Sequence, residues 1–271
     1  MNTSPQLFFF CALHCEARPA IAHYRLKKSN DNHPFAIYRH DEVILTITGV
    51  NKNNMAAAVA YTLALFPASN PVLLNLGIAG HKTKALGRLF LADKITDSTQ
   101  PDSVFYPQWV GGLPIADFLP LHTVAQPSSQ YPDTALCDME ASAFYQIAVK
   151  FSSVELIHCI KVVSDNAEHS SFEINAQNVT GWVADAIEYI SAIADHLCAL
   201  RQHALSPSHP QRAEILARYH FSVTSKARLD QLLQRWQHLN KHQSIPLEQI
   251  PAKNGKQFLH WLAQQSQPFR L

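Results

Sequence analysis

Apolar, β-favouring runs punctuate the first 200 residues of this chain at 6–12 (QLFFFCA), 35–39 (FAIYR), 42–48 (EVILTIT), 72–76 (VLLNL), 89–96 (LFLADKIT), 120–125 and 155–163 (ELIHCIKVV). Several are continuous rather than alternating, as expected of strands buried on both faces. Helical stretches lie between them. NKNNMAAAVAYTLALF (51–66) opens on an asparagine-rich cap and continues in strong helix formers. DMEASAFYQIAVKF (138–151) gathers Phe144, Ile147 and Phe151 on one side, and 178–200 repeats apolar residues near the helical period. Strand–helix alternation of this kind predicts an α/β sandwich, three layers deep, around a largely central sheet.

The alternation stops near residue 205, where LSPSHPQ (205–211) supplies turn chemistry. Residues 201–271 carry ten Lys/Arg and three Asp/Glu, a balance of +7, against twelve and eighteen, a balance of −6, in residues 1–200. This predicts a main domain over 1–204 and a basic helical extension over 205–271, with helices at 210–220, 222–239 and 254–265. Packing of its apolar helix faces is the first expectation for the extension. Nucleic acid is a second, less favoured partner, because Tyr219, Trp236 and Trp261 lie among the basic residues.

Several classes are excluded. Only eight glycines occur, with no G-x-G-x-x-G or Walker loop, which argues against a dinucleotide or nucleoside-triphosphate site. No apolar run reaches membrane-spanning length, and LFFFCAL reads as a buried strand rather than a signal peptide, so no membrane partner is expected. The five cysteines include no C-x-x-C pair and read as reduced thiols of a cytoplasmic protein. Cys11, His14, Cys15 and Glu16 are poorly spaced for structural zinc, and neither a metal nor an organic cofactor is expected.

In an open α/β sheet, ligands collect beyond the carboxyl ends of the strands. Polar groups follow strand-like runs in CALHCEAR (Glu16), TITGVNKNN (Gly49, Val50), LLNLGIAGHK (Gly77, Ile78, Gly80), ALCDMEAS (Asp138, Met139, Glu140) and CIKVVSDNAE (Lys161, Ser164, Asp165). Each has an ordinary reading too. Asp165 is good helix-capping chemistry, Glu140 is a first-turn helix acid, and Glu16 is a solvated acid at a helix start. Lys161, in an apolar strand, needs a partner, for which Glu16 and Asp138 are candidates.

The D-M-E-A-S element followed by S-D-N some 25 residues later, with G-I-A-G and ALHCEA in the same order, resembles the nucleoside phosphorylase/nucleosidase superfamily. The closest likeness is to methylthioadenosine/S-adenosylhomocysteine nucleosidases and futalosine-hydrolase-like proteins, over roughly residues 6–200. The resemblance implies a central mixed sheet and an N-ribosyl hydrolase acting on a purine nucleoside or 5′-modified adenosine. It implies that Glu140 binds the ribose hydroxyls with Met139 against the sugar, and that Asp165 protonates or hydrogen-bonds the base if burial favours its acid form. Glu16 would hold the attacking water, with Lys161 near it. Ile78, Gly80, Ser164 and Val50 would complete the substrate site, and the protein would be a homodimer. Phosphate as co-substrate, giving a nucleoside phosphorylase, is the alternative. A catalytically weak nucleoside-binding or nucleic-acid-linked regulator is a third reading.

The chain departs from the family pattern in three places. Ile78 stands where serine is common, and Arg88 where aspartate is usual. Only 44 residues separate Asp93 from Asp138, a stretch that in the family carries the aromatic partner of the base. Phe105, Tyr106, Trp109 and Phe118 are the candidates to replace that partner.

Overall fold

The structure, a computed structural model, describes residues 5–110, 117–127, 131–170, 174–204, 209–222, 225–226, 228–230, 232–233, 236, 240 and 243–265. The chain divides into two compact units, Met1–His203 and Ala204–Leu271.

The first unit is built on one mixed sheet. Its strands are β1 (Leu7–Cys11), β2 (Lys27–Lys28), β3 (Ala36–His40), β4 (Val43–Ile47), β5 (Val72–Gly80), β6 (Leu89–Asp97), β7 (Val104–Phe105), β8 (Asp117–Thr123), β9 (Leu136–Asp138) and β10 (Ile157–Asp165). β1 lies between β4 and β5, parallel to both, and β5 is parallel to β10. β10 also pairs antiparallel with β6, β6 runs parallel with β8, β8 parallel with β9, and β9 returns antiparallel to β5. That half of the sheet therefore closes on itself, while β1, β4, β3 and β2 extend as an open wing.

Side-chain alternation along β1 sorts the core into two layers. Leu7, Phe9 and Cys11 face one side, where they pack with α1 (His14–His23), α4 (Ala176–Asp185) and α5 (Ile187–Ala204) through Ala17, Ala20, Val183, Ile190 and Leu197. Phe8 and Phe10 face the other, against α2 (Lys52–Leu65) and α3 (Ala141–Ala148) through Met55, Val59, Phe144 and Tyr145. Phe8, Phe9 and Phe10 are all fully buried, which explains why QLFFFCA shows no polar interruption. Each such ring contributes roughly 1.5–3 kcal/mol of transfer free energy. The sheet with a helical layer on each face is the expected α/β sandwich.

The differences from expectation are instructive. β5 runs on through Gly80 rather than ending at Leu76, because Gly77 and Gly80 are paired with β10 and β9 despite carrying no apolar side chain. The helix expected over 178–200 is two helices, broken at Ala186 without a glycine or proline to announce it. β2 and β7 are two residues each, too short for a periodic pattern. No described helix is long and apolar enough to cross a membrane.

The second unit contains α6 (Arg212–Arg218) and α7 (Gly255–Gln265). The helix expected over 222–239 lies partly outside the described residues; those described from 225 to 236 are helical. The unit has its own core, including Ile215, Tyr219, Phe221, Leu229, Trp236, Ile250 and Phe258. Gln211 fixes Ile245 by a pair of hydrogen bonds to its backbone, 2.6 and 2.9 Å long. Tyr219 and Trp236 are buried, and Trp261 lies 5.8 Å from Trp236 ring to ring. All three aromatics that suggested base stacking on nucleic acid therefore take part in packing, Trp261 while partly exposed.

Candidate active site

The carboxyl ends of β1, β5, β9 and β10 meet at one place, and each delivers an acid or the room for one. After β1 the chain turns directly into α1, with Glu16 in its first turn. Glu16 Oε2 accepts the Leu13 backbone N–H at 2.7 Å, which satisfies a helix-end donor. Its Oε1 accepts the Ile78 N–H of β5 at 3.0 Å, tying α1 to the sheet. Glu16 is buried, not solvated. Burial pushes its carboxyl above the ordinary range, and Lys161 with the backbone N–H groups offsets part of the rise.

Glu140 follows β9 at the start of α3 and is also buried. Its Oε1 accepts the Asn51 N–H at 2.8 Å. Asn51 caps α2 through its side chain and holds a left-handed backbone, φ 88°. That conformation is uncommon outside glycine and is tolerated best by asparagine and aspartate. Burial, then the neighbouring Asp138 charge, push the Glu140 carboxyl up to about 7. Asp138 itself faces inward: it accepts from Thr123 Oγ1 at 2.8 Å, from the Ala141 N–H at 2.9 Å and from Lys161 Nζ at 2.8 Å. It caps α3 and neutralises the lysine.

Asp165 ends β10. The register with β5 slips between Val163 and Asp165, so Ser164 is the extra residue of a bulge and Asp165 is set opposite Gly80. Asp165 Oδ1 accepts from Ser164 Oγ at 2.5 Å and Oδ2 from the Tyr131 hydroxyl at 2.6 Å. A Cβ at Gly80 would sit 2.5 Å from Asp165 Oδ2 and closer still to the Tyr131 ring, so no other residue fits there unmoved.

These groups line one cavity of about 280 Å³, bounded by Glu16, Val50, Ile78, Gly80, Tyr131, Asp138, Met139, Glu140, Ser164 and Asp165, with apolar cover from Leu13, Val124, Pro127 and Ile174. Glu16, Glu140 and Asp165 thus share a single hollow, with Met139, Val50, Ile78, Gly80 and Ser164 on its wall.

Lys161 is buried on β10, opposite Gly77 in register, and its ammonium is bound to Asp138, one of the two partners expected for it, without lining the cavity. Burial would lower its pKa, but Asp138 and Glu140 outweigh that and raise it, so it is a fixed positive charge under the carboxylates. The candidate aromatic partners are a correction. Phe105 packs on Tyr145, Tyr106 is exposed, and Trp109 packs on Phe118 and stacks on His158, so none reaches the cavity. Among the described residues the aromatic that lines it is Tyr131, which the sequence pattern did not single out. Arg88 pairs with Asp117 at the surface.

No family model matches the chain, and no curated protein matches its sequence. Solved structures do match. The 5′-methylthioadenosine nucleosidase of Arabidopsis thaliana superposes with a TM-score of 0.58 at 15% identity, over 71% of this chain and 96% of that one. The futalosine hydrolase of Helicobacter pylori gives 0.57 at 11% identity, over 71% and 98%. The 5′-methylthioadenosine/S-adenosylhomocysteine nucleosidase of S. pneumoniae, solved with a transition-state inhibitor, gives 0.57 at 18% identity, over 72% and 99%. Each of these neighbours is matched over nearly its whole length, and this chain shares their fold.

Proposed function

We propose that the protein is an N-ribosyl hydrolase that cleaves the N-glycosidic bond of a purine nucleoside or 5′-modified adenosine. The observation that carries this reading is the convergence of Glu16, Glu140 and Asp165, from distant parts of the sequence, on one cavity. Glu140 accepts hydrogen bonds from the vicinal hydroxyls of the ribose, and Met139 packs against the ring. Asp165, carrying a proton taken from solvent, gives it to the base so that the base leaves neutral. The sugar then approaches an oxocarbenium ion. Four carboxyl groups, of Glu16, Asp138, Glu140 and Asp165, surround that developing positive charge. Glu16, with its carboxyl raised by burial, takes the proton of the attacking water.

The same electrostatics favour water over phosphate. Among the described residues no lysine or arginine lines the cavity. Asn75, where phosphorylases of this superfamily would present arginine, is buried and donates to the Phe10 carbonyl at 3.1 Å. Arg18 borders a separate surface groove with His14 and Gln177. A phosphate dianion entering a hollow lined by carboxyl groups meets repulsion, and the nearby Lys161 ammonium is already paired with Asp138.

The test is a panel of nucleosides incubated with and without phosphate, with base release followed by chromatography. The reading predicts free base and free sugar without phosphate. Release only with phosphate, as ribose 1-phosphate, would assign a phosphorylase. Binding without release would assign a nucleoside-binding regulator.

A further inference from the structure

Tyr131 has no part in the steps above, yet it makes the closest side-chain contact that Asp165 receives from another strand or loop. We propose that Tyr131 is a positioning residue for Asp165, its hydroxyl stabilising the carboxylate that Asp165 becomes as its proton passes to the departing base. The proposal rests on the hydrolase reading.

The geometry is specific. Tyr131 donates to Asp165 Oδ2 at 2.6 Å while Ser164 donates to Oδ1 at 2.5 Å, so both oxygens face a hydroxyl donor. A protonated carboxyl offers one good acceptor oxygen, the carbonyl; the ionised form offers two. The pair of donors is therefore matched to the anion, and charge-assisted hydrogen bonds of this type are roughly twice as strong as neutral ones. An interaction that strengthens as the proton leaves lowers the barrier rather than only tightening binding. Burial, and then Asp165 itself, push the Tyr131 phenol upward, so it remains a donor.

The surroundings hold the ring in this place. Gly80 leaves the space that the Tyr131 ring and Asp165 Oδ2 share. Two residues on from Tyr131, Asp133 pairs with Lys82, just beyond the end of β5.

The Asp165 proton goes to a ring nitrogen of the base, and the electron pair of the C1′–N bond goes with the base. Water adds its oxygen to C1′ and gives a proton to Glu16. Asp165 is left anionic between two hydroxyls until solvent returns its proton.

The experiment compares wild type and Tyr131→Phe on a purine nucleoside and on p-nitrophenyl ribofuranoside, whose leaving group departs without a proton. Loss of a hydrogen bond to a charged group predicts a fall of about 10- to 100-fold in kcat for base release, with KM within about threefold. Nitrophenol release falls by about threefold at most, because no carboxylate is generated in that step. The ratio of the two rates is read within one preparation, so partial misfolding lowers both and leaves the ratio untouched. An unchanged ratio overturns the role. A lowered KM with unchanged kcat also overturns it, by showing that the hydroxyl competes with the base for Asp165. Wild type that releases neither base nor nitrophenol overturns the hydrolase reading itself, a distinct result.

Discussion

Glu140 is held between opposed influences. Burial and the Asp138 charge favour its protonated form, while the Asn51 N–H and Lys161 favour the anion, and the balance leaves the carboxyl near 7 rather than its ordinary 4.5. A folded-state pKa raised above the unfolded one gives stability that is present at low pH and lost as pH rises through the folded value. Glu140→Gln keeps an acceptor for Asn51 and removes the titration. Denaturant unfolding is therefore expected to show the variant more stable than wild type above pH 7, with the gap closing toward pH 4.5. An equal gap at both ends would contradict the assignment. Gly80→Ala is expected to lower base release by about 100-fold or more, because its Cβ must displace Asp165, the acid proposed to serve the base; an active variant would show that Asp165 does not serve there. At this scale the acids were legible because DMEAS, SDN and ALHCEA keep them next to strand ends. Tyr131 was not, since nothing local to position 131 reports that Gly80 leaves room for a ring.

Between elements, Asp97 at the end of β6 is the common anchor. Lys52 of α2 reaches it at 2.9 Å, Ser142 of α3 at 2.6 Å, and the Thr99 N–H at 2.7 Å. Burial opposes its ionisation, but Ser142, Lys52 and Thr99 outweigh this and hold the carboxyl well below its ordinary 3.8. Asp97 thus fixes the starts of the two helices that present Asn51 and Glu140. Asp97→Asn is expected to cost about 3 kcal/mol near neutral pH, measured in urea. A depressed folded pKa gives stability that fades as pH falls, so the deficit should narrow below pH 3.8. Most elements of the first unit were readable from apolar runs, because strands buried on both faces are mostly apolar, and the few polar residues they carry, such as Asn75 and Lys161, are paired. The extension of β5 through Gly80 and the bulge at Ser164 were not readable, since both arise from cross-strand fit rather than from the strand's own composition.

On the scale of the whole molecule, the described residues lining the cavity fall between Ala12 and Ile174, all within the first compact unit, and the second unit carries a core of its own. A chain ending at residue 204 is therefore expected to release base within about threefold of the full-length rate, since it keeps every group that the chemistry needs. The change in charge balance near residue 205 coincides with the boundary between the two compact units. The account as a whole stands on three acids acting at one furanose. Its most direct test is the rate of base release in phosphate-free buffer by wild type and by Glu16→Gln, Glu140→Gln and Asp165→Asn, each checked for folding by circular dichroism. Each folded variant is predicted to lose at least about 100-fold in kcat/KM. Wild-type turnover by any one of them would contradict the claim that the three acids serve a single reaction centre.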